Sequence, residues 1–168
     1  SEHGMALRVR RIGRKRIQTL KAPGTGPEGL QNFQEFETEI EQDRPQLSAI
    51  GDAKLRRRLE REKVWQRLRP VFETRFHRST FEVARGGTTF EVAVDHGDIV
   101  ALGRRAPIAE IELEVKSGAP GAVFDLAESL ALELAEAHPV RLGALTKAAR
   151  GYALADGVEP RPHKAREI

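Results

Sequence analysis

Strict alternation between charged and apolar residues is the feature that most constrains how this chain can fold. Within residues 109–116 every second position is charged and the positions between are apolar, with Glu110, Glu112, Glu114 and Lys116 in one row and Ile111, Leu113 and Val115 in the other. Side chains of a β-strand point to alternate faces, so this period of two predicts a strand with one charged and one apolar face. Successive glutamates would lie about 6–7 Å apart, and such a row of like charges needs neighbouring cations.

Two other regions repeat this alternation with their own charge. Residues 6–11 and 16–21 predict a basic hairpin about a turn at Gly13-Arg14-Lys15. Residues 33–41 predict an acidic strand, with glutamates at every second position: Glu35, Glu37, Glu39 and Glu41. The chain therefore contains both basic and acidic strands.

The remaining segments predict further strands and three helices. Strands are expected over residues 71–84, 88–95 and 99–102, with turns at Gly86-Gly87 and at Gly97, which together with residues 109–118 form an antiparallel meander. Helical spacing predicts helices over residues 54–65, with Asp52 as the cap, over 122–137 and over 145–151. These elements place the chain in the α+β class, as a single domain.

The composition excludes several kinds of site. The 168 residues include no cysteine, which excludes disulfides, cysteine-ligated zinc and a thiol nucleophile. The five histidines are scattered without the spacing of a zinc-binding helix, and neither a P-loop nor a Gly-x-Ser-x-Gly motif occurs. No apolar run is long enough to span a bilayer and no signal-peptide pattern is present, so the sequence predicts a soluble cytoplasmic domain without a membrane partner.

Nucleic acid is an alternative partner that the sequence pI of about 9.5 and the Arg-rich residues 54–69 suggest. Aromatic residues make up only 5% of the chain, which leaves few side chains that could stack on bases. The acidic strands would also repel a phosphate backbone in the absence of metal. Nucleic acid is therefore not the expected partner.

The charged rows have two interpretations. One is a sheet with a solvated, salt-bridged face. The other is a closed barrel whose polar lumen brings the basic and acidic rows together, since interior and exterior residues alternate along each barrel strand. In the barrel, Arg8, Arg10 and Lys21 would face Glu35, Glu37, Glu39, Glu112 and Glu114. Such a lumen would suit a chain of phosphates, bound by the cations, and Mg²⁺ or Mn²⁺, bound by the carboxylates.

Seven segments, taken in order, resemble the CYTH domain of the triphosphate tunnel metalloenzymes, in particular the bacterial inorganic triphosphatase branch. They are ALRVRR, IQTLK, EFETEIE, RPVFETRFHR, TTFEVAVDHGDI, AEIELEVKSG and LTKAARGYAL. The resemblance covers nearly the whole chain. It implies a closed eight-stranded antiparallel β-barrel with flanking helices, which hydrolyses triphosphate in its tunnel with Mg²⁺ or Mn²⁺. Inorganic tripolyphosphate is the expected substrate.

The resemblance also implies roles for individual residues. The phosphate-binding residues would be Arg8, Arg10, Lys21 and Arg78, with Lys147 and Arg150 near the tunnel mouth. The metal ligands would be Glu37, Glu39, Glu112 and Glu114, of which Glu112 and Glu114 would also act in catalysis by positioning water. Glu91 and Asp95 are expected to line the wall, and Arg75 to lie on the face opposite Arg78.

The two ends of the sequence differ from a complete tunnel domain. The family's first strand carries Glu-x-Glu-x-Lys, whereas residues 1–6 read SEHGMA, so residues 1–156 are expected to form an N-terminally incomplete CYTH-like domain. Either the given sequence omits residues that the protein has, or the domain is a degenerate binder with an open barrel. The first is the preferred interpretation, because a barrel without an inner strand would leave backbone edges unpaired. The same spacing occurs at 112–116, but in the context of the late acidic strand. The tail EPRPHKAREI resembles a linker to a helical CHAD domain, so residues 157–168 are expected to lead toward one.

Other activities of the same fold stay open at this stage. An adenylyl cyclase or a thiamine triphosphatase would use the same barrel, but the sequence shows no evident motif for recognising a base. A non-catalytic polyphosphate-binding module would be consistent with the absent first strand.

Overall fold

The computed structural model describes residues 5–23, 33–61, 63–138, 140–143 and 145–158. It divides the chain into two compact units, Ser1–Arg69 and Pro70–Ile168, referred to below as the N-terminal and C-terminal units. Each unit is built on one antiparallel sheet of three strands.

The sheet of the N-terminal unit has the strand order β1-β2-β3, formed by Ala6–Ile12, Lys15–Pro23 and Phe33–Ile40. Gly13, with φ of 58°, occupies the left-handed region in the turn between β1 and β2, where a side chain would be strained. The basic hairpin and the acidic strand predicted from the sequence are both confirmed.

One face of this sheet carries the apolar core of the N-terminal unit. Leu20 packs there with Ile50 and Leu59, and Leu7, Phe36 and Trp65 surround them. Because these strand residues alternate with the charged ones, one face of the sheet is apolar and the other polar.

Two short helices replace the single helix that was predicted over residues 54–65. They are α1 (Ala53–Arg61) and α2 (Val64–Arg67), preceded by a 3₁₀ turn at Leu47–Ala49. Asp52 caps α1 as expected, since its Oδ1 accepts a hydrogen bond of 2.8 Å from the Leu55 amide. The prediction of one continuous helix was wrong because Lys63 has a left-handed backbone with φ of 52°, which interrupts the helical hydrogen bonding.

The sheet of the C-terminal unit has the order β4-β5-β6, formed by Glu73–Arg85, Thr88–Ala101 and Arg104–Ser117. The turn at Gly86-Gly87 is confirmed. The predicted turn at Gly97 and the separate strand at 99–102 were wrong, because β5 runs through both regions without a break. Gly97 pairs with Phe76 and Ile108, and a Cβ there would lie 2.1 Å from the Arg75 carbonyl oxygen. Gly97 therefore allows β4 and β5 to approach each other more closely than a side chain at this position would permit.

Two helices complete the C-terminal unit. Helix α3 (Ala122–Leu134) packs Leu126 against Phe90 and Val92 on the apolar face of the sheet, and it ends three residues before the predicted 137. Helix α4 (Lys147–Asp156) begins two residues after the predicted start and extends beyond the predicted end at 151, to the left-handed Gly157. Its Gly151 is buried, and a Cβ at that position would meet the Phe72 ring at 2.4 Å.

The α+β class is confirmed, with six strands in the described part of the chain. Eight strands and closure into a barrel are not confirmed and stay predictions. Residues 1–4 and most of the predicted linker at 157–168 lie outside the described residues. Within the described ranges no helix has the length and apolar character needed to cross a membrane.

Candidate active site

A charged face of the C-terminal sheet brings acidic and basic side chains from all three strands together. The register aligns Arg78 of β4 with Asp95 of β5, and Asp95 in turn with Glu110 of β6. Glu112 lies two residues further along β6, on the same face. The alternation in the sequence therefore becomes a cluster, because three strands in register present it side by side.

Asp95 lies at the centre of this cluster with a fully buried side chain. Arg78 holds it in a bidentate contact, in which Nε donates to Oδ1 and Nη2 to Oδ2, each at 2.7 Å. These bonds lower the pKa of the Asp95 carboxyl below its usual range, although burial acts in the opposite direction. Arg78 also donates to Glu112 at 2.5 Å, and the two carboxylates raise the pKa of its guanidinium.

Lys147 enters the cluster from the first turn of α4. Its Nζ lies 2.6 Å from Asp95 Oδ2 and 2.6 Å from Glu112 Oε1, and it also contacts Glu110 Oε1. Burial lowers the pKa of this ammonium, but the three carboxylates outweigh that effect and the net pKa is raised. For Glu112 the two effects are reversed: burial raises the pKa of its carboxyl, but Lys147 and Arg78 bring that pKa below its ordinary value.

Arg150 reaches the same cluster from the next turn of α4, since residues three apart share a helix face. Its Nη1 lies 3.5 Å from Glu110 Oε2, and its Nη2 donates to the Pro107 carbonyl. The ring of Phe76 borders the two other cations, at 5.6 Å from the Arg78 guanidinium carbon and 5.2 Å from Lys147 Nζ. Thus α4 contributes two cations to an acidic patch of the sheet.

The acidic members of this cluster form a group with the chemistry of a divalent cation site. Asp95, Glu110 and Glu112 each offer an oxygen, and these oxygens lie within 4.8 Å of one another. Carboxylate oxygens are the ligands preferred by Mg²⁺ and Mn²⁺, so the residues fit such an ion. We refer to these three residues as the acidic cluster.

The acidic cluster overlaps only in part with the ligands expected from the sequence. Glu112 belongs to it, whereas Glu114, on the same face, lies 3.1 Å from Lys116 Nζ. Asp95 was expected only to line the wall, and Glu110 was not assigned to the site. The signal for Glu110 was its place in the alternating row, but only the pairing with Asp95 shows that it belongs to the cluster.

The N-terminal unit carries a second charged face. The register of β1, β2 and β3 places Lys21 beside Glu35 and Thr19 between Arg8 and Glu37, while Glu39 follows on the same face of β3 and Arg10 on that of β1. Lys21 Nζ lies 2.6 Å from Glu35, which lowers the pKa of that carboxyl. Arg8 Nη2 lies 3.7 Å from Glu37 Oε1. Burial, together with the positive charge of neighbouring Arg10, lowers the pKa of the Arg8 guanidinium. The roles of these residues in phosphate and metal binding stay predictions.

Comparison with known proteins identifies the family. The sequence matches the CYTH domain family over residues 1–152. It is 34% identical over 152 residues to a protein of Haemophilus influenzae (strain ATCC 51907 / DSM 11121 / KW20 / Rd) described as an inorganic triphosphatase, and the match covers 89% of this chain. It covers 41% of that relative, so the chain spans about two fifths of the relative's length. The family match covers the whole N-terminal unit and residues 70–152 of the C-terminal unit, and the chain belongs to the CYTH domain family.

Proposed function

We propose that this protein hydrolyses a triphosphate with the help of a divalent metal ion, and that inorganic tripolyphosphate is its substrate. Family membership and the similarity to an inorganic triphosphatase support the reaction class. The observation that carries the proposal is the contact of the acidic cluster with Arg78, Lys147 and Arg150. A metal–triphosphate complex requires carboxylates that bind the metal ion and, next to them, positively charged side chains that bind the phosphates.

The proposal assigns the basic residues to the substrate. Arg78, Lys147 and Arg150 of the C-terminal unit and Arg8, Arg10 and Lys21 of the N-terminal unit would bind phosphoryl oxygens. Arginine offers paired donors that match the oxygens of a phosphate, whereas lysine acts as a mobile point charge. In this proposal the six described strands are part of an eight-stranded tunnel of the kind found in the family, which surrounds the substrate.

The acidic residues hold the metal and orient water. A divalent cation, Mg²⁺ or Mn²⁺, would polarise the phosphoryl oxygens and neutralise their charge when bound. Asp95, Glu110 and Glu112 would hold it, and Glu37, Glu39 and Glu114 are further candidate ligands. Glu112 and Glu114 would also orient the attacking water by accepting its hydrogen bonds.

The test is phosphate release from tripolyphosphate and from ATP, with Mg²⁺, with Mn²⁺ and with chelator. Release that depends on metal and is faster from tripolyphosphate is expected. Glu112→Gln should lower it by at least about 100-fold, because the amide binds a divalent cation weakly and removes one of the charged partners of Arg78 and of Lys147. Glu128→Gln, an exposed change on α3, is the matched control and should retain activity.

Other outcomes would identify the alternative functions. Tripolyphosphate that raises the melting temperature without releasing phosphate would indicate a polyphosphate-binding module. Formation of cyclic AMP from ATP would indicate a cyclase, and preference for thiamine triphosphate a thiamine triphosphatase.

The domain organisation is a separate proposal. Residues 1–156 would form the CYTH-like domain, and residues 157–168 a linker toward a CHAD domain in a cytoplasmic protein. Limited proteolysis should then cut within 157–168 and leave the preceding segment intact.

A further inference from the structure

The Lys147 ammonium lies where the three oxygens of the acidic cluster converge. It contacts Asp95 and Glu112 at 2.6 Å each and also contacts Glu110, and its side chain is only 15% exposed. A divalent cation bound by the same oxygens would need the same place. Lys147 in this position and a metal at the acidic cluster are therefore mutually exclusive.

The charges at the cluster are already balanced without a metal. Among the described residues, three cations contact its three carboxylates: Arg78 pairs with Asp95 and Glu112, Arg150 with Glu110, and Lys147 with all three. A divalent cation would bring an excess of two positive charges and would repel a lysine that stayed beside it. An anion that accepted Lys147 would remove both difficulties, and a triphosphate is such an anion.

The structure lets the Lys147 side chain move without moving α4. The N-terminus of the helix is capped by Thr146, whose hydroxyl accepts from the Ala149 amide at 3.2 Å. Further along, Arg104 donates to the Leu154 carbonyl at 3.2 Å, and Gly151 packs on Phe72. None of these contacts uses Lys147, and its four-carbon stem allows the ammonium to reorient.

We propose that Lys147 is an internal cation that holds the acidic cluster in place of the metal, and that metal binds tightly only once a triphosphate draws Lys147 away. This inference rests on the proposed function, because it takes the acidic cluster as the metal site. It makes metal and triphosphate binding cooperative, so that each raises the affinity for the other by the same factor.

The experiment measures Mn²⁺ binding to the metal-stripped protein from the electron paramagnetic resonance signal of free Mn²⁺. Lys147→Met should bind Mn²⁺ about 10-fold more tightly than wild type without any phosphate ligand, since it frees the oxygens and removes the competing charge. Lys147→Gln, which keeps hydrogen-bond donors, is a second variant that should do the same. Arg105→Met is the matched control, because it also removes one positive charge from the C-terminal unit, but its guanidinium pairs with Asp98, which is not assigned to the metal.

The second arm adds imidotriphosphate, a triphosphate analogue with nitrogen bridges that resist hydrolysis. The analogue itself binds Mn²⁺, so the same titration without protein is subtracted. In wild type the analogue should then raise the Mn²⁺ affinity of the protein by about 10-fold, and in Lys147→Met this enhancement should largely disappear. Equal Mn²⁺ affinities in wild type and both Lys147 variants would overturn the inference while leaving the proposed metal site intact. An equal gain in Arg105→Met would also overturn it, because general charge removal would then suffice.

Absence of Mn²⁺ binding in every variant would overturn both this inference and the metal site of the proposed function. Melting curves of the variants show whether they are folded, and the comparison between the two Lys147 variants guards against a loss of folding in one of them.

Discussion

At the scale of single residues, Asp95 depends most on Arg78. Asp95 is fully buried, and two of its hydrogen bonds come from this one guanidinium. A buried carboxylate that loses such a partner keeps its desolvation cost and loses the compensating bonds. Lys147 would remain as the other cation in contact with it.

We therefore expect Arg78→Leu to lower the free energy of unfolding by about 1–3 kcal/mol, a range reduced because Arg78 is partly exposed. Urea denaturation followed by circular dichroism measures this. Arg75→Leu is the control on the same strand, since Arg75 pairs with exposed Glu73 and should lose less than about 0.5 kcal/mol. Equal losses in the two variants would contradict the role given to Arg78.

The pH dependence of stability follows from the same carboxylate. Arg78 lowers the pKa of Asp95 in the folded state. The ionised Asp95 therefore makes its full contribution to the free energy of unfolding above the unfolded-state pKa of about 4. This contribution is lost as pH falls through the lower folded-state pKa. In chelator, the melting temperature of Asp95→Asn should lie below that of wild type at neutral pH, and the gap should narrow as the solution is acidified.

The control for this measurement is Asp43→Asn. Arg16 lowers the pKa of Asp43 as well, but that pair is exposed and solvent screens it. Its gap from wild type should be much smaller at every pH. A gap for Asp95→Asn that stayed constant down to the acid transition would show that its carboxyl does not titrate as inferred.

Individual site residues could be predicted to different degrees. The roles of Arg78, Glu112, Lys147 and Arg150 were all expected from the resemblance to the CYTH family, and the structure brings these four residues together. Glu110 could not be singled out, because strand alternation alone does not distinguish it from the other glutamates of the same row. Only the register of β5 with β6 decides which glutamate faces Asp95, and register depends on pairing between distant segments.

At the scale of elements, β5 shows how a glycine can mislead. Glycine between polar residues predicts a turn, and Gly97 follows His96 and precedes Asp98. In the structure it lies within a strand of fourteen residues because the neighbouring backbone approaches too closely for a side chain. A sequence cannot distinguish these two uses of glycine, since the approaching strand is remote in the chain.

Gly97→Ala should lower the free energy of unfolding by about 1–3 kcal/mol, because its Cβ would meet the Arg75 carbonyl oxygen and Phe76 at 2.1–2.7 Å. Gly121→Ala, before α3, is the control: its φ is −67°, and apart from its chain neighbours none of the described residues has an atom within 4 Å of an added Cβ. That change should be neutral or slightly stabilising. Urea denaturation measures both, and an unchanged stability in Gly97→Ala would contradict the close approach.

Element ends were predicted less well than element types. The prediction of the cap at Asp52 was correct because its mechanism is local: a side-chain oxygen accepts a hydrogen bond from the backbone amide three residues later. The break between α1 and α2 was missed because nothing in the residues around Lys63 demands a left-handed backbone. Local signals thus predict where a helix begins better than where packing interrupts it.

At the scale of the whole molecule, the alternation predicted the charged strands of both sheets and their apolar and charged faces. It did not predict that the described strands form two separate three-stranded sheets. It could not predict closure into a barrel, because the same pattern is typical of an open sheet with a solvated face. The resemblance to the family supplied the barrel, and it stays a prediction. The functional role of the N-terminal charged face is open to a direct test.

If both units act on one triphosphate, changes on the N-terminal charged face must weaken the same activity as changes in the acidic cluster. Arg10→Gln should then lower kcat/KM for tripolyphosphate by at least about 10-fold, because it removes a charged donor to phosphate. It should also reduce the rise in melting temperature that tripolyphosphate produces. Arg11→Gln is the matched control, since the adjacent Arg11 points to the opposite face of β1.

The two measurements separate the possible results. Lower activity and lower protection by tripolyphosphate in Arg10→Gln, with Arg11→Gln unchanged, would place the N-terminal face in substrate binding. Equal effects in both variants would mean that only the general positive charge of the hairpin matters. Unchanged activity in Arg10→Gln, with activity lost in Glu112→Gln, would confine the chemistry to the C-terminal unit and remove the N-terminal residues from the proposed site.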